Sequence, residues 1–343
     1  SPIGAPQAAG VGLVENLDYT GRRVLVTGGA GAIGSNLVRA LLARGVLVMV
    51  LDNLSAGHLW ALEHHERLAM VTGNVTNDGD LEAAFRERPE IVIHLAALYG
   101  NLNSLLRPET DLHTNGLGVL RTLQYAARAG VQRFLFASSG CSVYGPDAPQ
   151  PLHEDQPPAM HYDSPYQITK LLGELYCNHF HHRGLVPTVR LRFFSSFGPG
   201  EVPGKLRGVV PNFLWRALRK EPLTITGTGS ETRSFTFVSD LVEGILAAGV
   251  AEGIDGEAFN LAGGQERTIN ELARIVNEAT DNPAGVVYAD RRPWDRITTQ
   301  AVSIQKAHDR LGYAPTTTLE DGIEKTVAWF RTHWDRIQEE ARW

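Results

Sequence analysis

Short apolar runs punctuate the first half of the chain at residues 23–27, 46–51, 68–72, 91–95 and 134–137, and helical spacing of apolar positions appears between them at about 77–87 and 110–129. Runs this short, without polar alternation, predict strands buried on both faces. Strand and helix in regular succession predict an α/β fold: a doubly wound parallel sheet with helices packed on either side. From about residue 195 the texture changes. Helical patterns continue at 209–220, 239–250, 269–280 and 319–334, but the strands shrink to scattered pieces at 223–226, 234–238 and 258–261. This predicts a smaller α/β substrate-binding lobe over residues 195–343, interwoven with a first domain over 21–194. Residues 1–20 are small, polar and Gly/Pro-containing, and read as a flexible N-terminal arm. They lack the basic start and apolar run of a signal peptide or membrane span.

The run at 23–27 leads straight into Gly28-Gly-Ala-Gly-Ala-Ile-Gly34. Glycine is needed where a backbone turns sharply, approaches a pyrophosphate and lets the following helix lie close to the strand, so strand, glycine turn and helix together predict a Rossmann-type dinucleotide site at Gly28, Gly31, Ala32, Ile33 and Gly34. The second strand ends in Asp52-Asn53. A carboxylate there accepts hydrogen bonds from the adenosine ribose hydroxyls and repels a 2′-phosphate, which points to NAD rather than NADP. Ligands of such sheets sit at the carboxyl ends of the strands. Those ends are 73–75, 94–97 and 138–142, so Asn74, Val75, Leu95, Ala96, Ala97 and Ser138 are expected to line a cofactor or substrate. Asn115, a mediocre helix former inside a predicted helix, is expected to do polar structural work between strands and is counted among the expected cofactor contacts.

Farther on lies Ser164-Pro-Tyr-Gln-Ile-Thr-Lys170. Ser164 suits an N-cap and Pro165 the first helical turn, which places Tyr166 and Lys170 four apart on one helical face. A phenol titrates near ~10, and a neighbouring ammonium together with an oxidised nicotinamide ring favours the phenolate and brings it toward neutral pH. Tyr166 is thereby a candidate acid/base with Lys170 as its partner.

Composition narrows the partners. Net charge is −6, the isoelectric point is near 6.1, and no basic stretch interleaved with aromatics appears, so neither nucleic acid nor a membrane is expected as a partner. The two cysteines, Cys141 and Cys177, form no metal-ligand or disulfide spacing and suit a reducing, cytoplasmic setting. His179, His181 and His182 lack acidic or thiol companions and fall near a helix C-terminus, where cationic side chains suit the dipole. They and His64-His65 read as structural, and no metal site is expected.

Taken together, the motifs resemble those of the extended short-chain dehydrogenase/reductases, specifically the NAD-dependent nucleotide-sugar epimerases, dehydratases and decarboxylases. The likeness runs from about residue 22 to 332. Its carriers are 27–34, Asp52-Asn53, 94–97, Ser138-Ser-Gly-Cys-Ser-Val-Tyr-Gly145, Tyr166 to Lys170, 191–199, 229–240 and 259–262. The resemblance implies a shared opening step: Tyr166 takes the proton of the sugar 4-hydroxyl, C4 gives its hydride to bound NAD, and a 4-ketose forms. Lys170 would lower the pKa of Tyr166 and hold the nicotinamide ribose. Ser139 or its competitor Ser142 would shuttle the proton. It further implies that Arg233 and Arg292 clamp the diphosphate, because a guanidinium fork matches paired anionic oxygens. Asn212 with Leu223, Thr224 and Ile225 would meet the base and its ribose. Phe193 is a further expected cofactor contact, and Tyr99, Cys141, Ser195 and Asp295 are further expected substrate contacts.

Some positions depart from the family pattern. Asn74 replaces an Asp and is expected to reach the adenine amine through its carbonyl. Ser195 replaces the Asn common in sugar epimerases. Dehydratases usually place Asp-Glu before Val-Tyr-Gly, and decarboxylases a Glu; this chain has Cys141-Ser142, where the thiol either shapes the pocket or serves as an acid or base at C5 or C6. The reading is a 4-epimerase of a UDP- or dTDP-linked sugar, acting as a homodimer that pairs through the helices at about 110–129 and around Tyr166. The alternative is a UDP-glucuronate decarboxylase, with an unusual dehydratase or a non-catalytic dinucleotide sensor behind it.

Overall fold

A computed structural model describes residues 18–343. The strands are β1 Arg23–Thr27, β2 Leu47–Asp52, β3 Leu68–Thr72, β4 Ile91–His94, β5 Arg133–Ser139, β6 Thr188–Phe193, β7 Ser196–Phe197, β8 Leu223–Thr226, β9 Thr232–Ser234, β10 Thr236–Phe237, β11 Ala258–Leu261, β12 Glu266–Thr268 and β13 Val286–Ala289. Seven of them form one sheet in the order β11-β6-β5-β4-β1-β2-β3, and every pair in it is parallel. Alternate residues of a strand face opposite sides, and here both sides are buried. Val24 and Val26 of β1 enter one apolar cluster, while Leu25 between them enters another. That double burial explains why the strands read as unbroken apolar runs. Winding reverses at β1, which has β2 on one side and β4 on the other, so a crevice opens at the carboxyl ends of these strands.

The expected boundary at 194/195 does not divide the sheet. The strand predicted at 258–261 for the second lobe is β11, the edge strand beside β6, and the helix Val238–Val250 packs on the helix Ala32–Ala43. Its nonpolar residues Leu241, Ile245 and Leu246 are as buried as β1 itself, so apolar burial draws this segment back to the main core. The second lobe is built from the pairs β10-β7, β12-β9 and β13-β8 and from the helices Val209–Leu218, Ile269–Ala279 and Leu319–Thr332. Phe213, Leu272, Ile323 and Phe330 fill its core.

The helix predicted at 110–129 is present and runs without interruption from Pro108 to Ala129, with a π-helical stretch at Leu112–Leu117 between Pro108–Asp111 and Gly118–Ala129. Three expectations are corrected locally. The strand predicted at 234–238 splits into β9 and β10, and the helix predicted at 319–334 stops at Thr332 before a separate Trp334–Glu340. Of the expected N-terminal arm, residues 1–17 lie outside the described residues. Tyr19 is no loose residue: it is fully buried, and its hydroxyl donates to the Leu246 carbonyl at 2.7 Å. Among the described residues no helix is long and apolar enough to cross a membrane.

Candidate active site

A cleft of about 600 Å³ opens over the carboxyl ends of β1, β2, β4 and β5, walled on the far side by the second lobe. At one end the β1 turn approaches the helix very closely. Gly28 has φ +73°, and a Cβ on Gly34 would fall onto the Gly28 carbonyl oxygen and within 2.7 Å of the Gly29 Cα. Only glycine fits there. Asp52 sits alongside, 8% exposed, with one oxygen accepting from the Ala30 N–H at 2.9 Å and the other from the Leu54 N–H at 2.8 Å. Each oxygen keeps a lone pair toward the cleft for a ribose hydroxyl. Gly31, Ala32, Ile33, Asn53, Asn74, Val75, Leu95, Ala96, Ala97, Ser138 and Phe193 also line this space, as expected from the sequence.

The helix Pro165–His182 begins with the anticipated cap: the Ser164 hydroxyl accepts from the Gln167 N–H at 3.4 Å and donates to Asn101 Oδ1 at 2.8 Å. Tyr166 and Lys170 project into the cleft from its first two turns. Lys170 Nζ donates to the Ala137 carbonyl at 2.8 Å and lies 5.5 Å from the Tyr166 ring centre. Ser142 donates to Ser139 at 2.9 Å, so the two candidate hydroxyls are bonded to each other. Ser138 turns its hydroxyl away, to Glu174 at 2.6 Å. Beneath them His94 is fully buried against Phe134 and Phe136, its Nδ1 2.9 Å from Thr27 Oγ1. Burial, aided by Lys170, drives it down to about 3, so it stays neutral.

One electrostatic expectation is reversed among the protein's own groups. Burial, reinforced by Tyr99, Cys141 and Asp111, pushes the Tyr166 phenol well above its ordinary range. Burial brings Lys170 down to about 8 against the pull of Asp111. The desolvation of the phenolate outweighs the neighbouring amine.

Across the cleft stand Tyr99, Cys141, Ser195, Arg233, Arg292 and Asp295. Arg233 is aimed by Asp295 at 3.0 Å and by the Thr232 and Ile297 carbonyls, whereas Arg292 is exposed at the rim. Gln300, buried, accepts from the Ser234 N–H at 3.2 Å and donates to Cys141 Sγ at 2.9 Å. Burial raises the thiol, which disfavours the thiolate that chemistry at C5 or C6 would use.

Several predicted contacts lie elsewhere. Asn115 is 2% exposed and off the cleft wall; it bonds both polar groups of Leu98, at 2.7 and 3.0 Å, and Asp111 at 2.8 Å. Asn212 closes the 204–207 turn through Gly204 at 3.0 Å in both directions. Leu223, Thr224 and Ile225 pair with β13, and the apolar two are core residues. Asn74 lines the cleft, and its side-chain carbonyl accepts from the Thr76 N–H and hydroxyl, at 3.0 and 2.9 Å. Sequence reasoning missed Ser55 to Gly57, Asn101, Arg107, Glu201, Lys205 and Arg207, all of which line the cleft. Burial pushes Glu201 up to about 7 despite Arg207 and the Gly208 N–H. The one signal for it was an isolated acid after Gly198-Pro-Gly.

Residues 24–262 match the model of the NAD dependent epimerase/dehydratase family. The chain is 49% identical to an epimerase of solved structure from Methanothermobacter thermautotrophicus, with a TM-score of 0.94 over 95% of this chain and 97% of that one. It is 34% identical to a UDP-glucose 4-epimerase of Mycolicibacterium smegmatis, over 90% of this chain and 98% of the relative. Against UDP-glucuronic acid decarboxylase 2 of Arabidopsis thaliana the identity is 36%, over 94% of this chain and 72% of the relative.

Proposed function

Because the chain belongs to the NAD-dependent epimerase/dehydratase family, we propose that it is a nucleoside-diphosphate-sugar 4-epimerase that works through a transient 4-keto sugar, on a UDP- or dTDP-linked substrate. The observation that supports this reading is that Tyr166, Lys170, Ser139 and Ser142 line the same cleft, with Ser142 bonded to Ser139 and Lys170 fixed on the Ala137 carbonyl. The glycine turn and the Asp52 carboxylate fit a bound dinucleotide: the first clears space a Cβ would fill, and the second offers lone pairs for a ribose. NAD, when bound, supplies the acceptor for hydride at the sugar carbon. Tyr166 takes the proton of the sugar 4-hydroxyl as the phenolate, which the positive charges of Lys170 and of an oxidised dinucleotide would favour against burial, with Ser139 and Ser142 passing the proton. Lys170, its amine fixed on the Ala137 carbonyl, holds the ribose and adds positive charge. Arg233, aimed by Asp295, meets the diphosphate with Arg292. Rotation of the ketose before the hydride returns inverts C4.

Loss of carboxylate from a glucuronate is the second reading, favoured by the similarity to a plant decarboxylase. Against it, the turn at 140–142 brings a raised thiol and a serine, not a carboxylate, to the cleft. Incubation with UDP-glucose and UDP-glucuronate, followed by chromatography and mass measurement, separates the two: isomers of unchanged mass are expected, and carbon dioxide loss would replace this reading with the second. Tyr166→Phe is expected to retain bound NAD while turnover falls by about 10²-fold or more; comparable turnover would mean the base is another group.

Exposed Leu105, Leu106, Leu112, Ile168 and Leu175 place an apolar face on the helices around 101–117 and 165–182, which supports a homodimer through them. Ile168→Glu with Leu112→Glu is expected to give a monomer by light scattering, and a parent protein that is itself monomeric at micromolar concentration would remove the proposal. Two unpaired cysteines support a cytoplasmic setting.

A further inference from the structure

Lys170, 6% exposed at the cleft wall, has an ammonium whose one hydrogen bond among the described residues is to a neutral carbonyl, Ala137 O at 2.8 Å. Its aromatic neighbours Phe136 and Tyr166, at 5.4 and 5.5 Å from their ring centres, offer only weak compensation. An ammonium so placed loses its proton unless a negative charge stands near. The groups facing it can be taken element by element. From β4 comes His94, neutral and buried. On its own helix stand Tyr166, a neutral phenol, and Glu174, whose two oxygens are consumed by Arg192 and Ser138. The turn after β5 brings the Cys141 thiol. The segment 108–117 brings Asp111, completely buried, with Oδ1 accepting from Thr169 Oγ1 at 2.7 Å and Oδ2 from Asn115 Nδ2 at 2.8 Å. Thr169 is the residue next to Lys170, and Asn115 holds Leu98 on the cleft wall.

Burial raises the Asp111 carboxyl above its ordinary range, and the Thr169 hydrogen bond, the Lys170 charge and the Asn115 hydrogen bond oppose that rise, so a nearby ammonium helps to keep the buried acid ionised. Its bonds join the segment 108–117, the Tyr166 helix and the loop after β4, three elements that meet around the acid/base pair. We propose that Asp111 is the electrostatic partner of Lys170: a positioning residue, outside the cleft, whose negative charge keeps the buried amine an ammonium at neutral pH while its two hydrogen bonds lock the helix that carries Tyr166. The two effects are separable, because Thr169 contributes only the bond and Asp111 both bond and charge. Lys170 is lowered by burial to about 8, with Asp111 as the counteracting charge. Removing that charge moves its midpoint to lower pH and lowers the charged fraction of the amine near neutral pH. The same carboxylate raises Tyr166, so its loss shifts both groups in the acid direction.

The inference rests on the reading of Tyr166 and Lys170 as the acid/base pair, and its test is independent of turnover. The chain has five lysines, and Lys170 alone among them is buried, so its side-chain amine can be followed by heteronuclear NMR in protein labelled at lysine, with Lys170→Arg giving the assignment. Asp111→Asn is expected to lower the Lys170 midpoint by about one pH unit or more, a tenfold loss of proton affinity. Thr169→Val, which keeps the charge and removes the bond, is expected to move it by under about 0.3 unit. The Asn amide faces the Asn115 donor, so Asp111→Thr, whose hydroxyl accepts from Asn115, serves as the second variant if Asp111→Asn does not fold. An unchanged midpoint in a folded Asp111 variant, or an equal shift in Thr169→Val, overturns the proposal. Loss of epimerase activity in the parent protein with the Lys170 shift intact would instead strike the functional reading alone.

Discussion

The places of Asp52, Tyr166 and Lys170 on the cleft wall were readable in advance, because each sits where a strand or helix end fixes its direction. Glu201 was not, because it lies on an irregular segment and owes its character to burial between two lobes. Its carboxyl is pushed by that burial from 4.5 up to about 7. The folded protein therefore binds more protons than the unfolded chain between these values, and stability falls as pH rises from about 4.5 through about 7. Glu201→Gln removes the ionisation. In urea titrations the variant should be more stable than the parent at pH 8 by roughly 1–3 kcal/mol, with the difference shrinking toward pH 5. A parent and variant that track each other at both values would mean that the carboxyl is already well solvated. Asn115, which does the polar structural work expected of it, and Asn212, which bonds Gly204, share one feature: an amide can serve a ligand or its own backbone equally well, and the choice is made by loops distant in sequence.

Among the elements, the strands of the main sheet were legible because burial on both faces leaves an apolar run, and β8 because Leu223 and Ile225 are core. β13 was invisible: its four residues are exposed and show no alternation. The helix over 108–129 was legible, yet its π-helical stretch at Leu112–Leu117 was not, because a π turn depends on tertiary bonds that a periodicity cannot display. The same limit applies to what holds the Tyr166 helix to the sheet. Glu174, one turn beyond Lys170, accepts from Arg192 of β6 at 2.9 and 2.8 Å and from Ser138 of β5 at 2.6 Å. Burial alone would raise this carboxyl, but the hydrogen bonds and charge of Arg192, with Ser138 and Arg190, hold it below its ordinary range. Arg192 in turn donates to Tyr144 at 2.8 Å, and Tyr144 to Asn260 at 2.8 Å. Glu174→Gln strips the compensating charge from a buried guanidinium, for which the cost is about 3–5 kcal/mol. Thermal and urea unfolding should both register it, and a loss below about 1 kcal/mol would mean that water reaches Arg192.

On the scale of the whole molecule the cleft has two banks, the 53–61 segment after β2 on the dinucleotide side and the 200–208 segment on the other. Both are irregular, and the same part of the chain ties them down. Glu340 meets His58 at 3.0 Å, while the Arg342 carbonyl accepts from the Lys205 N–H at 2.8 Å. Trp334 stacks on Trp215 of the second lobe at 5.1 Å between ring centres, and Trp60 on Trp329 at 6.0 Å. A direct bond between the banks, Arg207 to the Ala56 carbonyl at 2.8 Å, closes the circuit. Ordering a loop costs on the order of 1 kcal/mol for each side chain fixed, and that cost is met before any ligand arrives. Removing residues 334–343 transfers it to the binding step, so NAD affinity should fall by about tenfold for each 1.4 kcal/mol so transferred, with turnover at saturating NAD and sugar nucleotide little changed. Hydrogen exchange should quicken in 53–61 and 200–208 together and leave β1, β4 and β5 protected. Faster exchange in only one of the two segments would show that the banks are anchored separately and that Arg207 does not couple them.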